Sequence, residues 1–466
     1  RRSTTNRPST RTRERVAGPV HDMMLLGFLA AMFAVGAKRP FLWVLTYVYI
    51  DIVAPQRLTY YLLNSVPISL MAVALAVGGF LLLDKKTDVR FAPRQGLILL
   101  LLVYCGLTTM SADFPVEAAD KWAWVWKALA FAAFLPFTLR TKLRIEALLL
   151  FMTLAVATII IVGGVKTAMG GGGYGELNLM VTNNSGLYEG STISAVAIAI
   201  IPLILWFLKY GTIFPPDWRV KAFGYALILS CLLIPVGTSA RTGLLCIGLL
   251  AVLMFRFTKH KLAFAGAIAI MGVAAIPLLP SSFTKRMDTI SDHKADESAS
   301  TRLAVWGWTI SYAKQHPFGG GFNAYIQNKV RYELRDADGG AKGIATDEAR
   351  AYHSAYFEML GEQGYPGLLI WLIINFAGVF RMEILRRRHR DPSDPYAWAG
   401  QLAAALQSGQ LIYLLGAAFV GIAFQPFIYM LIGAQIGLDS YLKRKRGEGA
   451  TTTLRPIRKV ATPVTT

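Results

Sequence analysis

A chain of 466 residues that is 54% hydrophobic and only 16% charged, with a mean hydropathy of +0.44, falls well short of the roughly 25% charge of a soluble domain and reads as an integral membrane protein. Its 48 Lys and Arg against 28 Asp and Glu give a net charge of +20. The bases sit in short clusters between apolar runs, which is how membrane topology rather than nucleic acid uses them. The three cysteines, Cys105, Cys231 and Cys246, fall inside apolar runs, so no disulfide framework, zinc spacing or redox motif is present.

In chain order, residues 1–20 are rich in Arg, Thr and Ser and are expected to be disordered. Apolar runs follow at 22–37, 41–54, 66–83, 96–110, 121–138, 146–163, 188–208, 222–238, 242–256 and 262–279, then at 364–380, 400–424 and 426–442. They predict an all-α polytopic membrane protein of about 12–14 helices: an N-terminal bundle over 21–279, a large loop over 280–363 containing short helices, and C-terminal helices over 364–442. Several runs are shorter than the ~20 residues of a perpendicular crossing, so either their true ends lie further out or they are half-helices. The basic, then Thr- and Pro-rich tail 443–466 is expected to be disordered.

Basic clusters at 84–94, 140–144, 209–221, 256–261, 381–390 and from 443 onward are expected to face the cytoplasm. Alternation then puts 55–65, 111–120, 164–187, 238–241 and 280–363 on the far side. The N-terminus conflicts with this scheme. Its arginines argue for the cytoplasm and parity for the outside, and 22–37 reads as a hairpin, a half-helix or a signal-like segment.

The 280–363 loop is far longer than two helices need for a connection. It holds ten Lys and Arg against eleven Asp and Glu, so it is the place to look for function. Within it, Arg302 opens the stretch Ser300–Ile310, where helical spacing puts Arg302, Trp306 and Thr309 on one face. Such a helix suits the outer membrane interface, and Arg302 reads as either an anion ligand or a solvated charge. His353 stands just before the next span, as a general base or as an interface histidine. Arg241 lies in the small-residue turn Gly237–Gly243, where its planar fork of donors suits phosphate or simply snorkels. The run Gly170–Gly175 is no nucleotide fingerprint, because it does not join a strand to a helix. Asn183, Asn184 and Glu189 either cap a span or line a cavity. There is no P-loop, no carboxylate pair at metal-ligand spacing and no nucleophile-elbow serine.

Taken together, the motifs Thr238-Ser239-Ala240-Arg241-Thr242-Gly243, Ser300-Thr301-Arg302-Leu303 with Trp306, His316-Pro317-Phe318-Gly319-Gly320-Gly321-Phe322 and His353-Ser354-Ala355-Tyr356 resemble the O-antigen ligase and polymerase superfamily. Lys38-Arg39-Pro40-Phe41, Pro55-Gln56-Arg57-Leu58-Thr59, Gly171-Gly172-Gly173-Tyr174 and Asn183-Asn184 look further like exosortase-associated O-glycosylation ligases. The likeness spans roughly 22–390, with Ser354 where many members place Asn.

The resemblance implies a multi-pass enzyme of the bacterial inner membrane with its site facing the periplasm. It implies transfer of a glycan from a polyprenyl-pyrophosphate carrier to a hydroxyl of lipid A core or protein, with inversion and without metal or other cofactor. It assigns His353, Arg241 and Arg302 to catalysis, and Arg57, Tyr174, Asn184, Trp306 and Tyr356 to substrate contact. A polymerase of the same superfamily and a lipid-glycan flippase are the competing readings. A flippase would need charge near mid-bilayer rather than at one face.

Overall fold

The computed structural model describes residues 10–59, 63, 66–84, 91–170, 186–258, 260–263, 265, 266, 270, 297–335 and 341–452. Tyr174, Asn184 and most of the segment 262–279 lie outside the described residues. The described chain is an all-α membrane bundle with one small sheet. Its helices are α1 (Thr10–Lys38), α2 (Phe41–Val53), α3 (Ile68–Leu83), α4 (Pro93–Met110), α5 (Pro115–Thr138), α6 (Lys142–Ala168), α7 (Gly190–Tyr210), α8 (Trp218–Gly237) and α9 (Arg241–Phe257). After these come α10 (Glu297–Gln315), the antiparallel hairpin β1 (Lys329–Arg335) and β2 (Ala341–Glu348), then α11 (Ala355–Arg388), α12 (Ala397–Ala417) and α13 (Pro426–Thr452).

Among the described residues, α4, α6, α7, α8 and α11 are long and apolar enough to cross a membrane. The apolar window of α7 is 83% buried against 28% for α4, so α7 runs through the middle of the bundle and α4 along its outside. Around α7 pack α8, α9 and α12. Local chemistry sets the ends. Pro93 opens α4, and the Gln95 side chain accepts from Ala92 N at 2.8 Å. Thr141 accepts from Arg144 N to start α6, and Asp217 accepts from Val220 N to start α8.

One end of the bundle is tied by basic side chains. Arg144 pairs with Asp84 at 2.5 Å, Arg381 with Asp439 at 2.6 Å, and Arg94 Nη2 donates to Gln435 Oε1 at 2.8 Å. Connectivity places the loop 297–353, the α8–α9 turn and the 418–425 turn at the other end.

The loop is more structured than a set of short helices. It contains the 19-residue α10 and the β1–β2 hairpin, which pack on each other around Val305, Val330 and Tyr352. It is joined to the bundle at a break in α11. Gly364 sits at φ 63°, and Pro366 has no N–H to offer. The carbonyls of Gly361 and Glu362 therefore lose their helical donors and accept instead from Gly320 N at 3.1 Å and Gly321 N at 2.9 Å, while Tyr365 N turns to Pro317 O at 2.9 Å. Gly321, at φ +77°, lies so close to Ala112 that a side chain there would collide with it. The glycine-rich turn after His316-Pro317 is thus the patch that completes a broken helix.

Candidate active site

A cavity of about 640 Å³ opens at the loop end of the bundle. Five segments wall it: Asp120, Lys121 and Trp124 of α5; Gly186 to Thr192 at the start of α7; Thr301, Arg302 and Val305 of α10; Arg350 to His353 leading into α11, with Glu358 and Glu362 beyond; and the 419–425 turn. Asn323 and Tyr325 complete it.

His353 and Arg302, widely separated in the sequence, meet here. His353 is held at φ 48°, a left-handed conformation that costs a histidine of order 1–3 kcal/mol and persists only where surrounding structure dictates it. Two clamps are visible. Asn328 grips the backbone of Arg350, accepting from its N at 2.9 Å and donating to its carbonyl at 2.7 Å. Trp306 Nε1 donates to the Tyr352 carbonyl at 2.9 Å while its ring stacks on Phe357 at 4.8 Å. Burial, with Arg302 and Arg350 nearby, holds the imidazole below its ordinary pKa, against a smaller opposing pull from Glu189. The ring is therefore neutral at neutral pH and able to accept a proton.

Both signs of charge line the cavity. Arg302 and Arg350 stand on the loop side. Four carboxylates, Asp120, Glu189, Glu358 and Glu362, and the Lys121 ammonium also line the cavity. Glu189 caps α7, accepting from Ser191 N at 3.0 Å and Thr192 N at 2.6 Å.

The other sequence candidates sit nearby. Arg241, Arg57, Trp306 and Tyr356 are not among the described residues that line the cavity. Arg241 is the first residue of α9, and the turn before it packs under the cavity wall, with Thr238 Oγ1 at 2.9 Å from Ser194 Oγ. Arg57 borders it, since a Cβ on Gly186 would come within 3.5 Å of Arg57 Nη1. Trp306 braces Tyr352, and Tyr356 spends its hydroxyl on the Leu414 carbonyl at 3.1 Å. Sequence reasoning missed Arg350, Lys121, Glu358 and Glu362. Arg350 was legible as another far-side arginine, three residues before His353. The pairing of Lys121 with two glutamates more than 200 positions away had no local signal.

Residues 225–372 match the O-antigen ligase family, and residues 20–212 match a family of unknown function (DUF5935). No curated protein gives a match. The ligase match takes in Arg241, Arg302, His353 and both glutamates, and it does not single out the exosortase-associated ligases. The match over residues 225–372 supports membership of the O-antigen ligase superfamily.

Proposed function

We propose that this protein transfers a glycan from a polyprenyl-pyrophosphate carrier to an acceptor hydroxyl on lipid or protein, on the non-cytoplasmic face of the inner membrane. The observation that carries the proposal is the convergence of a neutral, partly buried imidazole with two guanidinium groups in one cavity. The acceptor oxygen attacks the anomeric carbon from the face opposite the diphosphate. The carbon–oxygen bond to phosphate breaks, and the configuration inverts. His353 takes the acceptor proton. The departing diphosphate carries new negative charge, which Arg302 and Arg350 meet with charge-assisted donors from the cavity wall. Arg241, three residues after the Thr238 that packs on the start of α7, adds positive potential near the cavity.

The test is transfer by purified protein from a polyprenyl-pyrophosphate glycan to a lipid A core acceptor, without nucleotide and with a chelator present. Glycan on the acceptor is the expected product. A ladder built on the carrier would indicate a polymerase instead. Passage of donor across proteoliposomes with no new glycosidic bond would overturn the enzymatic reading.

The histidine also predicts a pH profile. The folded imidazole holds its proton less tightly than an unfolded one, whose pKa is about 6.5. Transfer should rise with pH through a midpoint below that value and then level off. The same inequality removes stability as pH falls from the unfolded value through the folded one, because only the unfolded chain binds the proton there. An activity limb centred at or above the ordinary imidazole value contradicts the assignment.

A further inference from the structure

The segment 20–212, matched only to a family of unknown function, contributes α5 and the start of α7 to the cavity. We infer that this segment supplies a working wall of the active site, and that its Lys121 is a positioning residue for His353. The inference rests on the transferase reading above.

The geometry centres on one ammonium. Lys121 Nζ donates to Glu358 Oε1 at 2.6 Å and to both oxygens of Glu362 at 2.8 Å. The side chains are 13%, 8% and 0% exposed, so water competes little for these bonds. Two aromatic faces close the box, with Phe322 and Phe424 centroids 5.4 and 5.5 Å from the nitrogen. The carboxylates carry the constraint onward. Glu358 Oε2 accepts from Ala423 N at 3.0 Å, fixing the 419–425 turn. Glu362 Oε1 accepts from Asn323 N at 3.0 Å, fixing a residue that is itself left-handed at φ 60°.

One lysine thus ties together α5, the first turns of α11, the glycine-rich turn and the α12–α13 turn, and all four contribute to the cavity. Glu358 and Glu362 lie one helical turn apart on α11, immediately after His353 and its N-cap, Ser354. Because His353 is strained, its placement depends on how firmly these turns are seated. The segment of unknown function grips the ligase segment where the proposed base is mounted. Lys121 itself lines the cavity, together with Glu358 and Glu362.

The experiment uses full-length protein in detergent and compares Lys121→Met, Lys121→Arg, Glu362→Gln and the uncharged triple variant Lys121→Met/Glu358→Gln/Glu362→Gln. The triple variant guards against unfolding, since it leaves no orphaned buried charge. Two readouts are followed: kcat and KM for the lipid-linked donor, and the titration of the His353 imidazole by NMR, assigned by its loss in His353→Asn. We expect Lys121→Met, Glu362→Gln and the triple variant to lower kcat by about 30-fold or more with donor KM changed less than about threefold, and Lys121→Arg to recover most of the rate. The imidazole midpoint should move toward its ordinary value in the slow variants and return in Lys121→Arg.

A monodisperse triple variant with wild-type kcat and an unmoved imidazole would overturn the inference. So would a rate loss that only tracks the fraction of folded protein. If wild type forms no glycosidic bond while Lys121→Met still shifts the imidazole, the transferase reading fails and the positioning role stands. If wild type is active and its imidazole is indifferent to Lys121, the transferase reading stands and the positioning role fails.

Discussion

His353→Asn should fold as well as the natural protein and transfer essentially nothing. The two halves of that result have separate physical causes. The backbone at His353 is left-handed, at φ 48°. Asparagine is among the few side-chain-bearing residues that adopt this region readily, so the substitution adds no strain. What it removes is the only group at that position able to accept a proton near neutrality. General base catalysis contributes about 10²–10⁴-fold, so the loss should be of that order and should fall on kcat. His353→Gly is the companion variant. It relieves the strain, leaves a space the size of the ring, and should regain some activity with added imidazole. Transfer assays and thermal melting in detergent check both halves. A folded His353→Asn protein keeping more than about a tenth of wild-type activity would remove His353 from the chemistry.

The second large effect is at Arg302. Arg302→Ala should lower kcat/KM by about 10²–10³-fold, the usual scale for losing one preorganised donor to a developing negative charge. Arg302→Lys should recover only part of it, because an ammonium is a point charge without the two-pronged geometry that fits a phosphate. A second signature ties the residue to its neighbour. Arg302 helps to keep the His353 imidazole neutral, so Arg302→Ala should move the acidic limb of the pH profile upward, toward the ordinary imidazole value. A residue that merely stabilised α10 would not shift that limb. Arg241→Ala should cost less than Arg302→Ala, because Arg241 acts from outside the cavity lining. Wild-type kinetics and an unchanged pH limb in Arg302→Ala would contradict this role.

Much of this protein was readable as sequence because bilayer helices obey a simple rule: runs of apolar residues bounded by basic clusters. The expected runs 96–110, 146–163, 188–208 and 222–238 lie inside or nearly inside α4, α6, α7 and α8, and the structure extends them through caps such as Thr141 and Asp217. The hairpin was missed although Lys329–Arg335 alternates basic or acidic with Val330, Tyr332 and Leu334, a period-two signal. Its partner, Ala341–Glu348, has no such alternation, and a lone alternating strand in a loop is weak evidence. His353 and Arg302, singled out in the sequence because polar groups at the membrane edge need a reason to be there, line one cavity. The Lys121, Glu358 and Glu362 cluster was not legible. Each member alone reads as an ordinary charge on a helix, and only tertiary packing brings the three together. Trp306 was singled out for substrate contact, and in the structure its indole N–H donates to the Tyr352 carbonyl, a backbone partner that sequence patterns do not reveal.

The central claim concerns where the diphosphate binds, and a structure determined with a non-transferable polyprenyl-pyrophosphate glycan bound tests it most directly. The account predicts diphosphate oxygens within hydrogen-bond reach of Arg302, Arg350 or both, with His353 on the opposite side of the anomeric carbon. A diphosphate seated at the basic end near Arg94 and Arg381, or in the main cavity without touching either arginine, would contradict it.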